Sequence, residues 1–336
     1  MRILYRTNVY LIDFDYYGIL QNANRSYRIK YLKFLKVGFL YMLKTRLATA
    51  FVFTSIIIYI LSFSPEKLFT PLFVTIVSIA ILLSGTEFAA LRWNIMDGST
   101  AFEQPRPKLK LKHFAVGFSY AFIIITYYFS KIIFSHSLEK VLILPIAWTF
   151  LCFFIFAVLI YRRAADLHTA SNKLLNIIAG FIYLALPATC LIELSLLQIE
   201  SPYRNAQIYF CLATILMGDT GAYFIGSRFG KRKLVPKISP KKSCEGAIGG
   251  LLFSALTAIA LTYLFKLSFP IWYAVLIGVF LGIAGQIGDL IESAFKRAGG
   301  YKDSSNLLPG HGGFLDRIDS LILGIPIAYA FFSFCF

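Results

Sequence analysis

The sequence predicts an all-α, polytopic integral membrane protein with about nine transmembrane helices, its N-terminus inside and its C-terminus outside. Three observations lead to this fold class. Hydrophobic residues make up 58% of the 336 positions, with a mean hydropathy of +0.69, whereas soluble domains are about 45–50% apolar. Apolar runs of about 20 residues, the length that spans a bilayer core as a helix, recur along most of the chain. Basic residues fall mainly in alternate connecting loops.

The nine predicted spans follow from where the apolar runs begin and end. The last span is short and could be tilted or interfacial. We divide the chain into an N-terminal tail, 1–46, and a membrane domain, 47–336, in which 206–320 holds most of the chemically informative side chains. In chain order the spans cover residues 47–64, 68–90, 113–134, 140–161, 174–195, 206–227, 246–265, 270–292 and 319–336.

The basic residues behind the net charge of +16 are distributed unevenly between the two sides of the membrane. If the spans alternate, 28 of the 33 Lys and Arg residues lie on the side of the N-terminal tail. Because Lys and Arg concentrate in short cytoplasmic loops, we expect the tail and the loops at 228–245 and 296–318 on the cytosolic side of a bacterial-type inner membrane. The same distribution argues against a nucleic-acid partner.

The tail is basic and aromatic. Residues Lys30 to Leu43 read KYLKFLKVGFLYML, a composition that could lie along a membrane surface. The alternative is that the residues before Met42 are an extension that is dispensable for catalysis. The sequence does not decide between these two interpretations.

The five cysteines give no sign of a disulfide or zinc framework. None forms a CxxC pair, and most lie in apolar runs or beside them, so they are interpreted as small apolar residues. Cys244 lies in a basic loop and could be a reactive thiol.

Besides Asp319 at the start of the last span, five carboxylates fall inside the predicted spans or at their ends. Placing a carboxylate in an apolar helix costs about 2.5–3.5 kcal/mol on insertion scales, so those that persist generally pair, bind a cation or line a wet cavity. Glu193 lies near an outer span end and is interpreted as interfacial. Glu87 lies near an inner end, where snorkelling and a functional role are both open. Asp219, Asp289 and Glu292 lie in the later spans, and Asp219 and Asp289 are expected to be functional.

The segment 285–320 carries the densest pattern of charged and small residues. It reads GQIGDLIESAFKRAGGYKDSSNLLPGHGGFLDRIDS. If the helix continues past Asp289, then Glu292, Ser293 and Lys296 follow at spacings of three, four and seven and share its face. This face would present acidic and basic groups at the cytosolic membrane surface.

A second acidic pair, Asp316 and Asp319, is spaced i, i+3 at the start of the last span. Carboxylates suit Mg²⁺, which leaves open positions for phosphate, while Lys and Arg neutralise polyphosphate and glycines let backbone amides approach it. A topogenic basic loop is the alternative, but it does not account for the Pro-Gly-His-Gly-Gly run. The loop between the two helix ends is predicted to hold Lys296, Arg297, Lys302, His311, Gly310, Gly312 and Gly313.

A second motif region, 218–250, contains a loop with seven basic residues. It is not a P-loop, because the earlier glycine is absent and Lys231 is followed by Arg rather than Ser or Thr. The stretch Ser239 to Gly246, SPKKSCEG, could hold phosphate at a helix N-terminus. A loop that only sets topology explains the residues equally well.

These motifs resemble the phosphatidate cytidylyltransferase (CDP-diacylglycerol synthase) family. The pattern S-A-F-K-R-x4-K-D-x-S-x2-L-P-G-H-G-G-F-x-D-R-I-D, at 293–319, matches the family signature without a departure across 27 positions. D-T-x-A-Y-x-x-G at 219–226 and S-P-K-K-S-x-E-G at 239–246 are also similar, with Ser243 where many members have Thr. The motifs cover about the C-terminal 40% of the chain, and the first five spans resemble the family only in hydropathy and order.

The resemblance implies that phosphatidic acid attacks the α-phosphorus of CTP, giving CDP-diacylglycerol and pyrophosphate. It implies Mg²⁺, with a second metal ion such as K⁺ as an option, on carboxylates that Asp289, Asp316 and Asp319 fit. Membrane lipids are further expected partners, and a homodimer is one possible assembly. The catalytic candidates also include Lys296, Arg297, Lys302, His311 and Arg317. The substrate-binding candidates are Asp219, Ser239, Lys241, Lys242, Ser243, Glu245, Ser293, Gly312 and Gly313.

Two alternatives remain open at the level of sequence. One is another membrane CTP enzyme, such as a CDP-archaeol synthase or a CTP-dependent polyprenol kinase. The other is a divalent-cation transporter with Asp219 and Asp289 in its pathway, which would place acids near the bilayer midplane. The crowding of acids and basic loops at one membrane face argues against transport.

Overall fold

A computed structural model describes residues 59, 62, 66–96, 107–133, 138–163, 166–308 and 312–335. These residues belong to one contact unit, Ser55–Phe336. The tail, 1–46, and nearly all of the predicted first span, 47–64, lie outside the described residues, so the interpretations of the tail stay predictions.

The described chain is almost entirely helical, which confirms the prediction of an all-α, polytopic membrane protein. Its only described strands are β1 and β2, an antiparallel pair that follows α6. The helices and strands are α1 (Glu66–Met96), α2 (Leu111–Ile133), α3 (Leu138–Arg163), α4 (Leu167–Gly180), a π-helical turn (Phe181–Ala185), α5 (Leu186–Leu196), α6 (Ala206–Phe229), β1 (Lys233–Val235), β2 (Ser239–Ser243), α7 (Cys244–Leu264), α8 (Ile271–Ala298) and α9 (Leu315–Cys335).

Seven helical segments among the described residues are long and apolar enough to cross a bilayer. Six of them overlap a predicted span closely, and the segment Leu167–Leu196 begins earlier than the predicted 174. It starts there because the Asp166 carboxylate accepts a bond of 2.7 Å from the Thr169 amide and caps the helix. That bond also holds the pKa of the exposed Asp166 below its usual value. The predicted span 140–161 corresponds to α3, whose described apolar stretch, Ile146–Arg162, is shorter than a full span.

The segment Leu167–Leu196 is interrupted by a π-helical turn for a local reason. Pro187 has no backbone N–H to bond the preceding turn, and its ring crowds that turn. The widened turn, Phe181–Ala185, directly precedes it. One continuous membrane segment, Leu167–Leu196, therefore contains a short π-helical turn.

The outward faces of the helices are apolar and exposed. Phe150 is 71% exposed, Phe154 is 69% exposed and Leu256 is 64% exposed. The core is also apolar, with Phe210 against Phe332 at a centroid distance of 5.5 Å. Because the outer faces are apolar, these helices suit a hydrocarbon environment.

Two helix ends differ from the sequence prediction in a way that shapes the site. The helix predicted at 270–292 continues to Ala298, so Lys296 and Arg297 lie in its last turn and not in the following loop. The helix predicted to begin at 319 begins at Leu315, which places Asp316 and Asp319 on its first turns.

Candidate active site

The site lies where the C-terminal part of α8 meets the start of α9. Gly288 makes this approach possible, since a Cβ built there would lie 2.4 Å from the backbone oxygen of Asp319. The side chains that flank this contact, Asp289 on α8 and Asp319 on α9, are thereby brought together. With Glu292 they form a group whose ligand atoms lie within 4.8 Å of one another.

Glu292 is the most enclosed member of this acidic group. Its side chain is fully buried, and Lys296, one turn later on α8, forms an ion pair with its Oε2 atom. Its carboxylate also shares a hydrogen bond with the side chain of Asp316. Three carboxylates that converge in this way suit a hard divalent cation, which takes oxygen ligands.

Asp316 lies near this group but its oxygens are already engaged. Lys296 Nζ donates to Oδ1 at 2.8 Å, and the Gly313 amide donates to Oδ2 at 2.8 Å. The Ser304 amide adds a bond of 3.1 Å to Oδ2. Asp316 therefore contacts Lys296, the loop and Glu292 itself, and it lies directly beside the acidic group.

The second motif region reaches the same site through β2. Lys242 Nζ lies 2.9 Å from Asp289 Oδ2, and Ser293 Oγ donates to Asp289 Oδ1 at 3.2 Å. Asp219, on α6, is within electrostatic range of Asp289 and Lys242 and hydrogen-bonds with Ser320. Lys242 of the second motif region and Ser293 of the 293–319 pattern, which are distant in sequence, thus both contact the Asp289 carboxylate.

Several other predicted site residues have local contacts instead. Ser243 Oγ accepts a bond of 3.1 Å from the Gly246 amide and caps α7. Glu245 accepts bonds from the backbone amides of Lys231, at 3.0 Å, and Arg232, at 3.2 Å, and so holds the turn before β1. Both residues shape the hairpin that delivers Lys242.

For the remaining predicted residues the structure shows no contact with the three carboxylates among the described residues. Arg297 donates from Nε to the Ile238 oxygen at 3.2 Å and from Nη1 to the Tyr301 oxygen at 3.0 Å, tying α8 to the hairpin. His311 lies outside the described residues. Exposed or partly exposed positions are held by Ser239, Lys241, Lys302, Gly312 and Arg317.

The sequence did not assign a role to Glu87, although the structure connects it directly to the loop between α8 and α9, here called the signature loop. Glu87 is fully buried on α1, and its carboxylate accepts bonds from Ser304, Ser305, Phe314 and Leu315. Glu292 was likewise recognised as an intramembrane carboxylate but not as a member of the acidic group. In both cases the available signal was the cost of a carboxylate in an apolar helix.

The fold and the site together define a class of protein. It is a polytopic membrane protein in which several carboxylates and basic side chains meet where two helices end. The chain matches the model of the Cytidylyltransferase family over residues 44–335, and it belongs to that family.

Curated relatives match the chain over part of its length. It is 46% identical over 127 residues to a phosphatidate cytidylyltransferase of Bacillus subtilis, covering 38% of this chain and 47% of that protein. It is 46% identical to the enzyme of that name from Staphylococcus haemolyticus and 44% identical to one from Staphylococcus aureus, each over 120 residues, 36% of this chain and 46% of the relative. The matched part thus spans about half the length of these relatives.

Proposed function

We propose that this chain transfers the CMP moiety of CTP to phosphatidic acid. A phosphate oxygen of the lipid forms a bond to the α-phosphorus of CTP. The bond between that phosphorus and the oxygen that joins it to the β-phosphorus breaks. The products are CDP-diacylglycerol and pyrophosphate. The family membership and the relatives' names support this reaction class, and the structure of the site supports a substrate that is both anionic and membrane-held.

The observation that carries the proposal is an apolar cavity beside the acidic group. The cavity has a volume of about 700 Å³ and is lined by α4, α5, α8 and α9 together with the π-helical turn. Tyr183 and Phe295 are among the residues that line it. Tyr183 is also within electrostatic range of Asp289, Glu292 and Asp319. A lipid whose chains occupy an apolar space and whose phosphate lies at the carboxylates fits this arrangement.

A divalent cation, Mg²⁺ in our proposal, would be held by Asp289, Glu292 and Asp319. When bound, it neutralises the repulsion between two phosphate anions and polarises the phosphoryl oxygens. A second ion such as K⁺ stays an expectation of the family resemblance.

The cationic side chains of the chain position and screen the phosphates. Lys242, from the hairpin, lies beside Asp289 and is partly exposed, so it can exchange this partner for a phosphate oxygen. Lys296 is buried between Glu292 and Asp316 and holds the two helix ends together. In a transfer of this kind the protein mainly positions the reactants and stabilises their charge.

Replacing Lys242 tests its proposed contact with the triphosphate. We expect Lys242→Gln to lower kcat/KM for CTP about tenfold, equivalent to about 1.4 kcal/mol, because a charge-assisted bond is lost. Lys237→Gln, at an exposed position in the same hairpin, is the matched control and is expected to change kcat/KM less than about twofold. Equal effects of the two variants would show that only the overall charge of the hairpin matters.

We also propose that the site faces the cytosol, which the distribution of basic residues supports. In a variant whose five native cysteines are replaced, Lys237→Cys is expected to resist an impermeant maleimide in intact cells and to react after permeabilisation. Tyr203→Cys, in the loop between α5 and α6, is expected to react in intact cells. The reverse pattern would invert the topology.

A further inference from the structure

Glu87 connects the first described helix to the loop between α8 and α9. It lies on α1 with a side chain that is fully buried, in a helix apolar enough to cross a bilayer. A carboxylate in such a position is retained only if its oxygens are satisfied or serve a function. Glu87 does not belong to the acidic group at Asp289, Glu292 and Asp319, so that group does not explain it.

Its two oxygens accept four hydrogen bonds, and all four come from the loop or from the first residue of α9. Oε1 accepts from Ser305 Oγ at 2.5 Å and from the Phe314 amide at 2.9 Å. Oε2 accepts from Ser304 Oγ at 3.0 Å and from the Leu315 amide at 2.7 Å. Each oxygen therefore joins one of the two serines to a backbone amide at the start of α9.

The bonds to Phe314 and Leu315 also satisfy the start of α9. The first amides of a helix have no partner within the helix, and a carboxylate at that end is favourable for the helix dipole. Here the capping group comes from another helix instead of from the residue before α9. The position of the first turn of α9, which carries Asp316 and Asp319, is thus tied to α1.

The packing around the carboxylate leaves no room for a side chain at position 313. A Cβ built at Gly313 would lie 1.8 Å from Ser304 Oγ and 2.7 Å from Glu87 Oε2. The neighbouring Gly312 adopts a left-handed conformation with φ of 83°, which favours glycine. Close approach to two carboxylates, Glu87 and Asp316, therefore gives the glycine pair of the signature a structural reason.

We propose that Glu87 is a positioning residue for the transfer reaction. It holds Ser304, Ser305, Phe314 and the first turn of α9 in place, and it thereby sets the position of Asp319 relative to Asp289. Its effect on turnover rests on the proposed function, whereas its effect on the order of the loop does not.

The variant Glu87→Gln separates this role from general packing. The amide nitrogen of glutamine replaces one acceptor oxygen and cannot accept a bond. Because each oxygen of Glu87 binds one backbone amide, either orientation leaves the Phe314 or the Leu315 amide without its partner. The helix itself remains docked through Phe88, whose ring meets that of Phe295 on α8 at 5.5 Å.

The test combines hydrogen–deuterium exchange with kinetics on the full chain in detergent. In Glu87→Gln we expect exchange of peptides covering 304–316 to rise about tenfold, with no change in α7, because only the loop loses its anchor. We expect kcat to fall about tenfold while KM for CTP changes less than about twofold, since the loss is one of positioning. Ser305→Ala removes one donor and is expected to give a smaller rise at the same peptides.

Glu193→Gln is the matched control, because it removes another carboxylate of a membrane helix, one that pairs with Lys131 at 2.6 Å. It is expected to leave loop exchange unchanged. Unaltered loop exchange in Glu87→Gln, faster exchange that extends to α7, or faster loop exchange with wild-type kcat would each overturn the proposal. If the wild-type chain makes no CDP-diacylglycerol, the proposed function fails, and the exchange data still decide whether Glu87 holds the loop.

Discussion

Asp289→Asn and Asp319→Asn are each expected to lower turnover of CTP at least about a hundredfold, equivalent to about 2.7 kcal/mol. The two carboxylates come from different helices and converge with Glu292 to within 4.8 Å. These are the only three carboxylates that the described residues bring together in this way, so removing one charge weakens the whole group. We therefore also expect a higher Mg²⁺ concentration at half-maximal rate, measured by titrating Mg²⁺ at saturating CTP.

Asp316→Asn provides an informative comparison. Its oxygens bind Lys296 and the amides of Gly313 and Ser304, so its loss is expected to lower kcat with little change in the Mg²⁺ requirement. Asp166→Asn, an exposed helix cap that asparagine can also form, is expected to behave as wild type. A normal Mg²⁺ dependence in Asp319→Asn combined with a raised requirement in Asp316→Asn would contradict the assignment of ligands.

Gly288→Ala is expected to produce the second large effect, about a hundredfold loss of turnover. The added Cβ would lie 2.4 Å from the Asp319 backbone oxygen, and backbone cannot yield as a flexible side chain can. Restoring ordinary contact requires α8 and α9 to separate by about 1 Å, a misplacement that can cost about a hundredfold in rate. Turnover and the Mg²⁺ requirement would be measured together.

Gly285→Ala is the matched control on the same face of α8. Its added Cβ would lie 3.1 Å from a methyl group of Ile215 and at least 3.7 Å from Ser320 on α9. A side-chain methyl can shift by a few tenths of an ångström, so turnover is expected to stay within about threefold of wild type. Similar losses in Gly285→Ala and Gly288→Ala would show that the spacing of Asp289 and Asp319 is not the cause.

Hydropathy was sufficient to predict most of the membrane helices, because a helix in lipid must satisfy its own backbone and present an apolar surface. It could not predict where α8 ends. The turns beyond residue 292 contain Lys296 and Arg297, which look like loop residues by hydropathy but bond to Asp316 and to the hairpin. The π-helical turn before Pro187 also required the structure, since a proline can be accommodated in several ways.

Helical spacing correctly placed Asp289, Glu292 and Lys296 on one part of α8, because neighbours on a helix are fixed by its period. It could not show that Asp316 turns toward Lys296 while Asp319 turns toward Asp289. That difference depends on the crossing of α8 and α9 at Gly288. The order of residues along one helix was therefore predictable, and the partners across helices were not.

Glu87 shows the limit of local sequence information most clearly. Its partners Phe314 and Leu315 lie 227 and 228 positions later in the chain. The sequence showed only that a carboxylate stands near a span end, which is equally compatible with snorkelling. Only the packing of α1 against the signature loop distinguishes an anchor from a solvated side chain.

The most direct measurement of the central claim follows both ends of the CTP triphosphate. Purified protein in detergent would be supplied with Mg²⁺, phosphatidic acid and CTP labelled on either the α- or the γ-phosphorus. The account predicts that the α label enters the lipid and the γ label leaves in pyrophosphate, and that Asp319→Asn abolishes both. Transfer of the γ label to a lipid, or no lipid labelling by a purified chain that is folded, would contradict it.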